Sequence, residues 1–374
     1  MNEREPGTYQ GKKRIAIIGS RGIPGNYGGF ETFAERLGTG LVGLGHEVTV
    51  YCPSVSSTTS DRWYLGIRRV IVPTVRVKSI EKICSSLISC ILSAFAPYDI
   101  ILFLGVAPVM FAWIPRLTGK KLIINIDGLE WKRRKWGRIG SWYLKLSERL
   151  AHVFCHAFVA DSRAIRDYIR AEYGRDAVYI PYGAIAGRHE DESVLARYGL
   201  RNGGYFLQVC RLEPENNTDV VIREYAAVTT DMPLVIIGDA PYADAYKKRL
   251  HENADERVRF LGGVYGHDYD VLRSNAFCYI HAHEVGGTNP SLLEALAAGN
   301  CVLALDVPFN LEVLGDAGRS FSKEPGNLKA ALEDLLVHHE VMAAYRQKAV
   351  RRIEEHYSWD RVIRDYDRLF RSAL

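Results

Sequence analysis

The sequence predicts an α/β chain of two Rossmann-like domains, on three observations. Its 374 residues exceed the roughly 250–300 that a single hydrophobic core serves. Short apolar runs, the first ending in glycine, alternate with amphipathic stretches, the pattern of a parallel sheet covered by helices. The alternation then starts afresh at Tyr205. A composition of 47% hydrophobic and 25% charged residues is that of a globular chain and excludes disordered, collagenous and disulfide-stapled classes.

Arg14–Gly19 reads as the first strand, followed by a glycine-rich loop, an amphipathic helix over Phe30–Leu44 and a second strand over Glu47–Tyr51. Apolar runs at Ile100–Leu104, Leu122–Ile126 and Phe154–Ala160 continue the first sheet. Pro181–Gly187 and a charged helix over Asp191–Tyr198 form the link. The second sheet takes Tyr205–Val209, Leu234–Ile237, Arg257–Phe260, Phe277–Ile280 and Cys301–Ala304, with a helix near Val220–Val228. The expected division is 1–187, 188–356 and a terminal segment 357–374 carrying a helix over Asp360–Leu374. No close repeat at solenoid periods stands out.

The seven cysteines are odd in number and never spaced C-x-x-C, so they read as reduced core thiols in a reducing cytosol. The N-terminus is polar, with no apolar stretch of the kind that marks a signal peptide. The longest apolar segment, Ile83–Ala96, falls short of the roughly 20 residues a membrane span needs. A cytoplasmic chain is expected.

The net charge of +4 hides a division. Residues 1–190 carry 27 Lys/Arg against 16 Asp/Glu, and residues 191–374 carry 21 against 28. A basic half of this kind seeks an anionic partner. Lys132-Arg133-Arg134-Lys135, Arg138 and Lys145 interleave with Trp131, Trp136 and Trp142, while Arg62, Arg68, Arg69, Arg76, Lys78 and Lys82 precede the apolar segment. Tryptophan beside basic residues points to docking on anionic lipid at the inner membrane face; a solvated helix face over a buried helix is the plainer alternative. No nucleic-acid module is visible, and a pI of 8.6 is moderate, so nucleic acid is not an expected partner.

Three segments carry chemistry. In Gly19-Ser-Arg21-Gly22-Ile-Pro-Gly25-Asn-Tyr27-Gly28-Gly29, glycines after a first strand let backbone N–H groups approach a phosphate, and Arg21 adds a planar cation. A dinucleotide cofactor fits less well, because the spacing is not G-x-G-x-x-G and the second strand ends without an acidic residue. In the second segment, Gly286-Gly287-Thr288-Asn289 leads into a helix starting near Pro290. The N–H groups of Leu292 and Leu293 are expected to receive a diphosphate there, and Glu294 the hydroxyls of a ribose. Third, Arg211 follows the strand Tyr205–Val209 and is placed to clamp a phosphate. Two D-x-D strings, Asp268-Tyr-Asp270 and Asp365-Tyr-Asp367, lie in helical contexts and are not read as metal sites. His281, His283 and Glu284 could approach zinc but lack a fourth ligand at a recognisable spacing.

In order along the chain, RGIPGNYGGFETF (21–33), NIDGLEWKRRKW (125–136), RLEPENN (211–217) and GGTNPSLLEA (286–295) resemble glycosyltransferase family 4. These are retaining enzymes of the GT-B fold that use nucleotide-diphosphate sugars. More narrowly the segments are similar to a bacterial polysaccharide subgroup often described as rhamnosyltransferases. The resemblance spans nearly the whole chain and is far more specific for the fold than for the sugar. It implies two Rossmann-like domains facing across a cleft, with the last helix crossing back to the first domain.

On that resemblance Arg211 holds the diphosphate and Glu294 the ribose, while Gly238, Asp239 and the 262–265 turn with Val264 and Tyr265 line the base. Gly19, Arg21, Gly22, Gly286, Gly287, Thr288 and Asn289 complete the donor site. Asp127 or Glu130 orients sugar hydroxyls where the family often has a histidine; Tyr27, Gly28, Gly29, His283 and Glu284 lie toward sugar or acceptor. Two departures stand out. Gly286 occupies the place of a common glutamate, and Asn216 and Asn217 the place of a usual lysine, leaving a cation short, which Arg21 or the N–H groups of 286–288 are expected to make up.

The implied reaction is retaining transfer of a hexose or deoxyhexose from a dTDP-, UDP- or GDP-linked donor to a lipid-linked saccharide, with no metal. A sugar-nucleotide epimerase and a noncatalytic nucleotide-sugar-binding subunit remain alternatives.

Overall fold

The computed structural model describes residues 11–25, 28–57, 61–74, 80–133, 136–240 and 244–372. Its strands are β1 (Arg14–Ile18), β2 (Glu47–Pro53), β3 (Trp63–Tyr64), β4 (Ile67–Val72), β5 (Ile100–Leu104), β6 (Lys121–Ile126), β7 (Ala157–Ala160) and β8 (Val178–Tyr179) in a first sheet, and β9 (Phe206–Val209), β10 (Leu234–Ile237), β11 (Val258–Gly262), β12 (Cys278–His281), β13 (Val302–Leu305) and β14 (Arg319–Phe321) in a second. Helices α1 (Gly29–Gly43), α2 (Ile80–Phe95), α3 (Trp113–Leu117), α4 (Arg138–Phe154) and α5 (Arg163–Tyr173) accompany the first sheet. Next come α6 (Glu192–Arg197), α7 (Thr218–Ala226), α8 (Asp244–Asn253), α9 (Gly266–Ser274), α10 (Pro290–Ala297), α11 (Pro308–Leu314), α12 (Asn327–Val337), α13 (His339–His356) and α14 (Trp359–Ser372).

The sheet orders are β3-β4-β2-β1-β5-β6-β7-β8 and β11-β10-β9-β12-β13-β14. Every pairing is parallel except the β3–β4 hairpin. Central strands such as β5 (IILFL) and β10 (LVII) are buried along their whole length, as strands covered on both faces must be. The chain reverses direction across each sheet at one place, between β1 and β5 and between β9 and β12. Open parallel sheets bind ligands outside the strand ends at such points, and the segments singled out in the sequence lie there.

Two glycines explain how the strand ends come so close. A Cβ on Gly19 (φ +121°) would lie 2.3 Å from the Leu104 carbonyl oxygen, and one on Gly238 (φ +130°) would lie 1.9 Å from that of Cys210. Both contacts are with backbone, which cannot move aside, so no side chain fits either position.

Helix α14 returns to the first domain. Its Tyr366, fully buried, packs on Phe33 of α1 with ring centroids 5.5 Å apart and receives a 2.7 Å hydrogen bond from the Asn125 amide. His46 and Asp367 pair at 2.7 Å. The chain crosses between domains twice, and the two crossings touch: the Ala184 N–H donates to the Tyr357 carbonyl at 2.8 Å, and Ala184 bridges Ser358.

Several sequence expectations are corrected. The β3–β4 hairpin was not foreseen, and with two additional strands the strand before Asp127 is the sixth in the chain. Arg69, read as part of a lipid-facing cluster, is buried on β4 and bonds the Asp61 carbonyl and the Ser57 hydroxyl. Trp131 and Lys145 also turn inward. The carboxylate of Glu148, 1% exposed, accepts from the Trp131 indole at 3.1 Å, Lys145 at 3.0 Å, Tyr168 at 2.7 Å and Tyr173 at 2.5 Å; a buried carboxylate needs such partners. Trp136 donates to Glu130 at 3.3 Å. Arg76, Lys78, Arg134 and Lys135 lie outside the described residues.

Candidate active site

The site forms where the strand tips of the two sheets meet. Asp161 closes β7, is fully buried, and accepts the Thr288 N–H at 2.9 Å, while its carbonyl accepts the Thr288 hydroxyl at 2.5 Å. A Cβ on Gly287 would stand 2.1 Å from Asp161 Oδ1, and one on Gly128 3.0 Å from the Gly286 backbone. On the other flank, a Cβ on Gly29 would meet Pro290 at 3.1 Å. The Gly286–Pro290 segment of the second domain is thus pressed against Gly29, Gly128 and Asp161 of the first.

Around this contact acidic groups crowd. Burial, and then the charge of Glu130, push Asp127 up to about 6. Burial and the Asp127 charge push Asp161 well above the usual carboxylate range. Glu130 pairs with Arg133 at 2.9 Å. Across the cleft Arg211 lies 3.6 Å from Glu213, and Glu215, 5% exposed, keeps both carboxylate oxygens buried with no hydrogen-bond partner among the described residues. His283 stacks on His281 at 4.3 Å, and burial, His281, Arg211 and Arg133, in that order, hold its pKa well below the ordinary value. Buried polar groups left unpaired cost free energy, and their concentration at the cleft marks a surface shaped for a polar ligand.

The donor-side residues are brought together in the main. Gly238 donates its N–H to the Gly262 carbonyl at 2.7 Å, placing the Gly238-Asp239 and Gly262–Tyr265 turns side by side; Val264 is half-buried and Tyr265 exposed. Asp239 is held by Lys247 at 3.0 Å. Glu294 Oε2 accepts from Tyr269 at 2.8 Å and pairs with Arg273 at 2.8 Å, which fixes its rotamer. Asn216 bonds the Arg211 carbonyl at 2.6 Å and Asn217 the Ala282 carbonyl at 2.9 Å, so these amides brace the loop instead of presenting charge. Glu284 pairs with Lys323 at 2.6 Å.

Three expectations change. The N–H groups of Leu292 and Leu293 are not free: both donate to the Asn289 carbonyl, at 3.1 and 3.2 Å, and the Asn289 side chain caps Ser291. The Thr288 N–H, expected to help compensate a missing cation, is taken by Asp161. In the Gly19–Gly29 loop, Arg21 and Gly25 donate their N–H groups to Glu31 at 2.6 Å and Glu35 at 2.7 Å; Gly22 is buried against Cys52, Gly28 lies at the start of α1, and Tyr27 lies outside the described residues. The D-x-D string at Asp268 and Asp270 spends its carboxylates on Arg197, at 2.7 Å, and Arg273, at 2.8 Å.

Residues 197–352 match the family model described as glycosyl transferases group 1. Residues 12–185 match a model described as a domain of unknown function, DUF1972. Relatives of the chain include an O-antigen chain mannosyltransferase B of Escherichia coli, 28% identical over 131 residues, 33% of this chain and 34% of that protein. A phosphatidyl-myo-inositol mannosyltransferase of Mycolicibacterium smegmatis is 29% identical over 227 residues, 58% of this chain and 57% of its own. The chain spans about a third to just over half the length of the curated relatives it matches. In fold, it is similar to a sucrose-phosphate synthase of Thermosynechococcus elongatus (TM-score 0.82, 16% identity, 96% of this chain and 99% of that one). It is also similar to Anabaena HepE in complex with UDP-glucose (TM-score 0.78, 16% identity, 96% and 99%). The architecture is GT-B, as the sequence predicted.

Asp161, Arg133, Glu213 and Glu215 were not named as site residues from the sequence. Arg133 read as one charge in a basic run. The signal for Asp161 was an acidic residue at a strand end just before Ser162, which caps α5.

Proposed function

We propose that the protein is a retaining, metal-independent glycosyltransferase of family 4 type. It moves a hexose or deoxyhexose, with rhamnose favoured by the subgroup resemblance, from a nucleotide diphosphate to a lipid-linked saccharide at the inner membrane face. The observation that carries this reading is the place of Arg211, just after β9 in the segment that matches glycosyl transferases group 1 and 3.6 Å from Glu213. In this reading the acceptor hydroxyl attacks from the face the nucleotide leaves, and the departing β-phosphate takes its proton. The protein positions the pair and stabilises the leaving diphosphate through Arg211. Metal independence draws support from the occupied carboxylates of Asp268 and Asp270.

The test is a panel of UDP, GDP and dTDP sugars, with and without a membrane-lipid extract, read as nucleotide diphosphate released. Release that needs acceptor and survives EDTA is expected. Conversion of the sugar nucleotide without acceptor would instead reveal an epimerase, and binding without turnover a noncatalytic subunit.

Asp127 serves this reaction as a carboxylate that accepts a sugar hydroxyl. With its pKa raised to about 6, it gains a proton as pH falls through that value, so kcat/KM is expected to fall below about pH 6. The native state binds the extra proton between the ordinary carboxylate value near 4 and about 6, so the same group costs stability as pH rises through that window. Asp127→Asn should abolish the acid limb in whatever rate remains; a limb of unchanged position would remove Asp127 from this role.

Membrane docking rests on an apolar face of the first domain. Phe95 of α2, Leu117 of α3, and Ile139, Trp142 and Val153 of α4 are all at least 65% exposed. Helices α2 and α3 pack together, and α2 and α4 both pack on the turn Ala107–Phe111, beside the exposed Arg138 and Arg149. No helix of the described residues is long and apolar enough to cross a membrane. Vesicles containing an anionic lipid should bind the protein more tightly than zwitterionic ones, and added salt should weaken binding. Equal binding to both would count against the docking face.

A further inference from the structure

A donor diphosphate brings two or more negative charges into a cleft that is already acidic. Around Arg211 the second domain offers Glu213, Glu215 and Glu284, and the cation nearest Glu284, Lys323, is paired with it at 2.6 Å. The amides of Asn216 and Asn217 are committed to carbonyls, and the Thr288 N–H to Asp161. One guanidinium is a poor match for a diphosphate in this field, so further positive charge has to come from elsewhere.

The first domain supplies it. Arg133 lies on the loop after β6 with only 14% of its side chain exposed. Burial opposes its charge, and the carboxylates of Glu130, Asp127, Glu213 and Glu215 outweigh that penalty. Its loop touches the opposite domain, where a Cβ on Gly128 would lie 3.0 Å from the Gly286 backbone and the Glu284 N–H donates to the Glu215 carbonyl at 3.0 Å, which sets Arg133 in the field of the Glu213 and Glu215 carboxylates. His283, stacked on His281 at 4.3 Å, lies in the fields of both Arg211 and Arg133. On the second-domain side Glu213 lies 3.6 Å from Arg211, and its Oε2 is buried with no hydrogen bond among the described residues. Together with the 95% buried carboxylate of Glu215, which has no hydrogen-bond partner among the described residues, it gives this side of the cleft a resident negative charge.

We propose that Arg133, reaching across the cleft from the first domain, is the second cation on the donor diphosphate and binds its β-phosphate opposite Arg211. This rests on the reading of the cleft as a nucleotide-diphosphate-sugar site. A planar fork suits two phosphate oxygens. Because the residue belongs to the first domain, donor binding then also holds the two domains together. On binding, the diphosphate takes over the guanidinium from Glu130 and the resident carboxylates. On release of product the carboxylates reclaim it, which helps expel the nucleotide.

The test uses the full chain and calorimetric titration with UDP, GDP and dTDP and with the corresponding monophosphates. For the diphosphate that wild type prefers, Arg133→Ala is expected to weaken binding by about 10-fold to 100-fold, the range of a charge-assisted hydrogen bond. Monophosphate affinity should stay within about threefold, and Arg133→Lys should restore part of the loss. Thermal melting checks that both variants fold, and the Lys variant carries the test should the Ala variant not. Equal loss for mono- and diphosphate, or no loss for either, overturns the assignment to the β-phosphate. Failure of wild type to bind any nucleotide overturns the donor-site reading instead, so the two failures are distinct.

Discussion

Replacing Arg211 by alanine is expected to reduce turnover by about 100-fold or more while leaving the fold intact. The magnitude follows from the loss of one placed donor at a developing charge. The fold should survive because the side chain is 42% exposed and its ion pair with Glu213 is a loose 3.6 Å, a kind of contact that adds little to stability. The carbonyl of Arg211, which does brace the loop by accepting from Asn216, is unaffected. The loss should fall on kcat more than on KM, because charge builds on the leaving phosphate mainly in the transition state. Turnover within a few-fold of wild type, in a variant that melts normally, would remove Arg211 from the chemistry.

The second large effect belongs to a residue with no side chain. Gly287→Ala sets a methyl group 2.1 Å from Asp161 Oδ1 and 2.4 Å from Oδ2. Asp161 is fully buried and holds Thr288 by two hydrogen bonds, so it has nowhere to retreat, and the domains must part to admit the methyl. Misplacement by about 1 Å can cost about 100-fold in rate, and a loss of that order is expected. The apolar clusters around Phe103 and Ile124 in the first domain and around Phe206 and Ile236 in the second are untouched, so melting should change little, while small-angle scattering should report a larger radius of gyration. A variant that is equally compact and equally active would show that the Asp161 contact is dispensable.

The fold was legible where local chemistry is decisive. Runs such as IILFL and LVII can only be buried strands, and the glycines that end β1 and β10 announce strand ends too tightly packed for a Cβ. The hairpin β3–β4 escaped notice because Trp63-Tyr64-Leu65-Gly66 is short and half exposed, with no alternation to read. On the second domain the segments named from the sequence follow two neighbouring strands, Arg211 after β9 and Gly286–Asn289 with Glu294 after β12. The first domain was less legible. Trp131 and Lys145 look like surface residues until Glu148 is seen buried beneath them. Asp161 and Arg133 acquire meaning only from groups 80 or more residues away, Thr288 for one and Glu213 for the other, and no local pattern encodes such a meeting.

The paired crossings at Ala184 and Ser358 bear on how the two domains open. Two strands of chain that lie side by side, tied by a backbone hydrogen bond, act as a single pin. They leave the domains one easy axis of rotation and resist sliding or twisting. A swing about that line moves Gly183 and Trp359 hardly at all, while groups farther from the pin travel in proportion to their distance. Opening therefore separates Gly287 from Asp161 and Gly286 from Gly128 in one motion, and closing restores both in register, with no step in which one half of the site is assembled without the other.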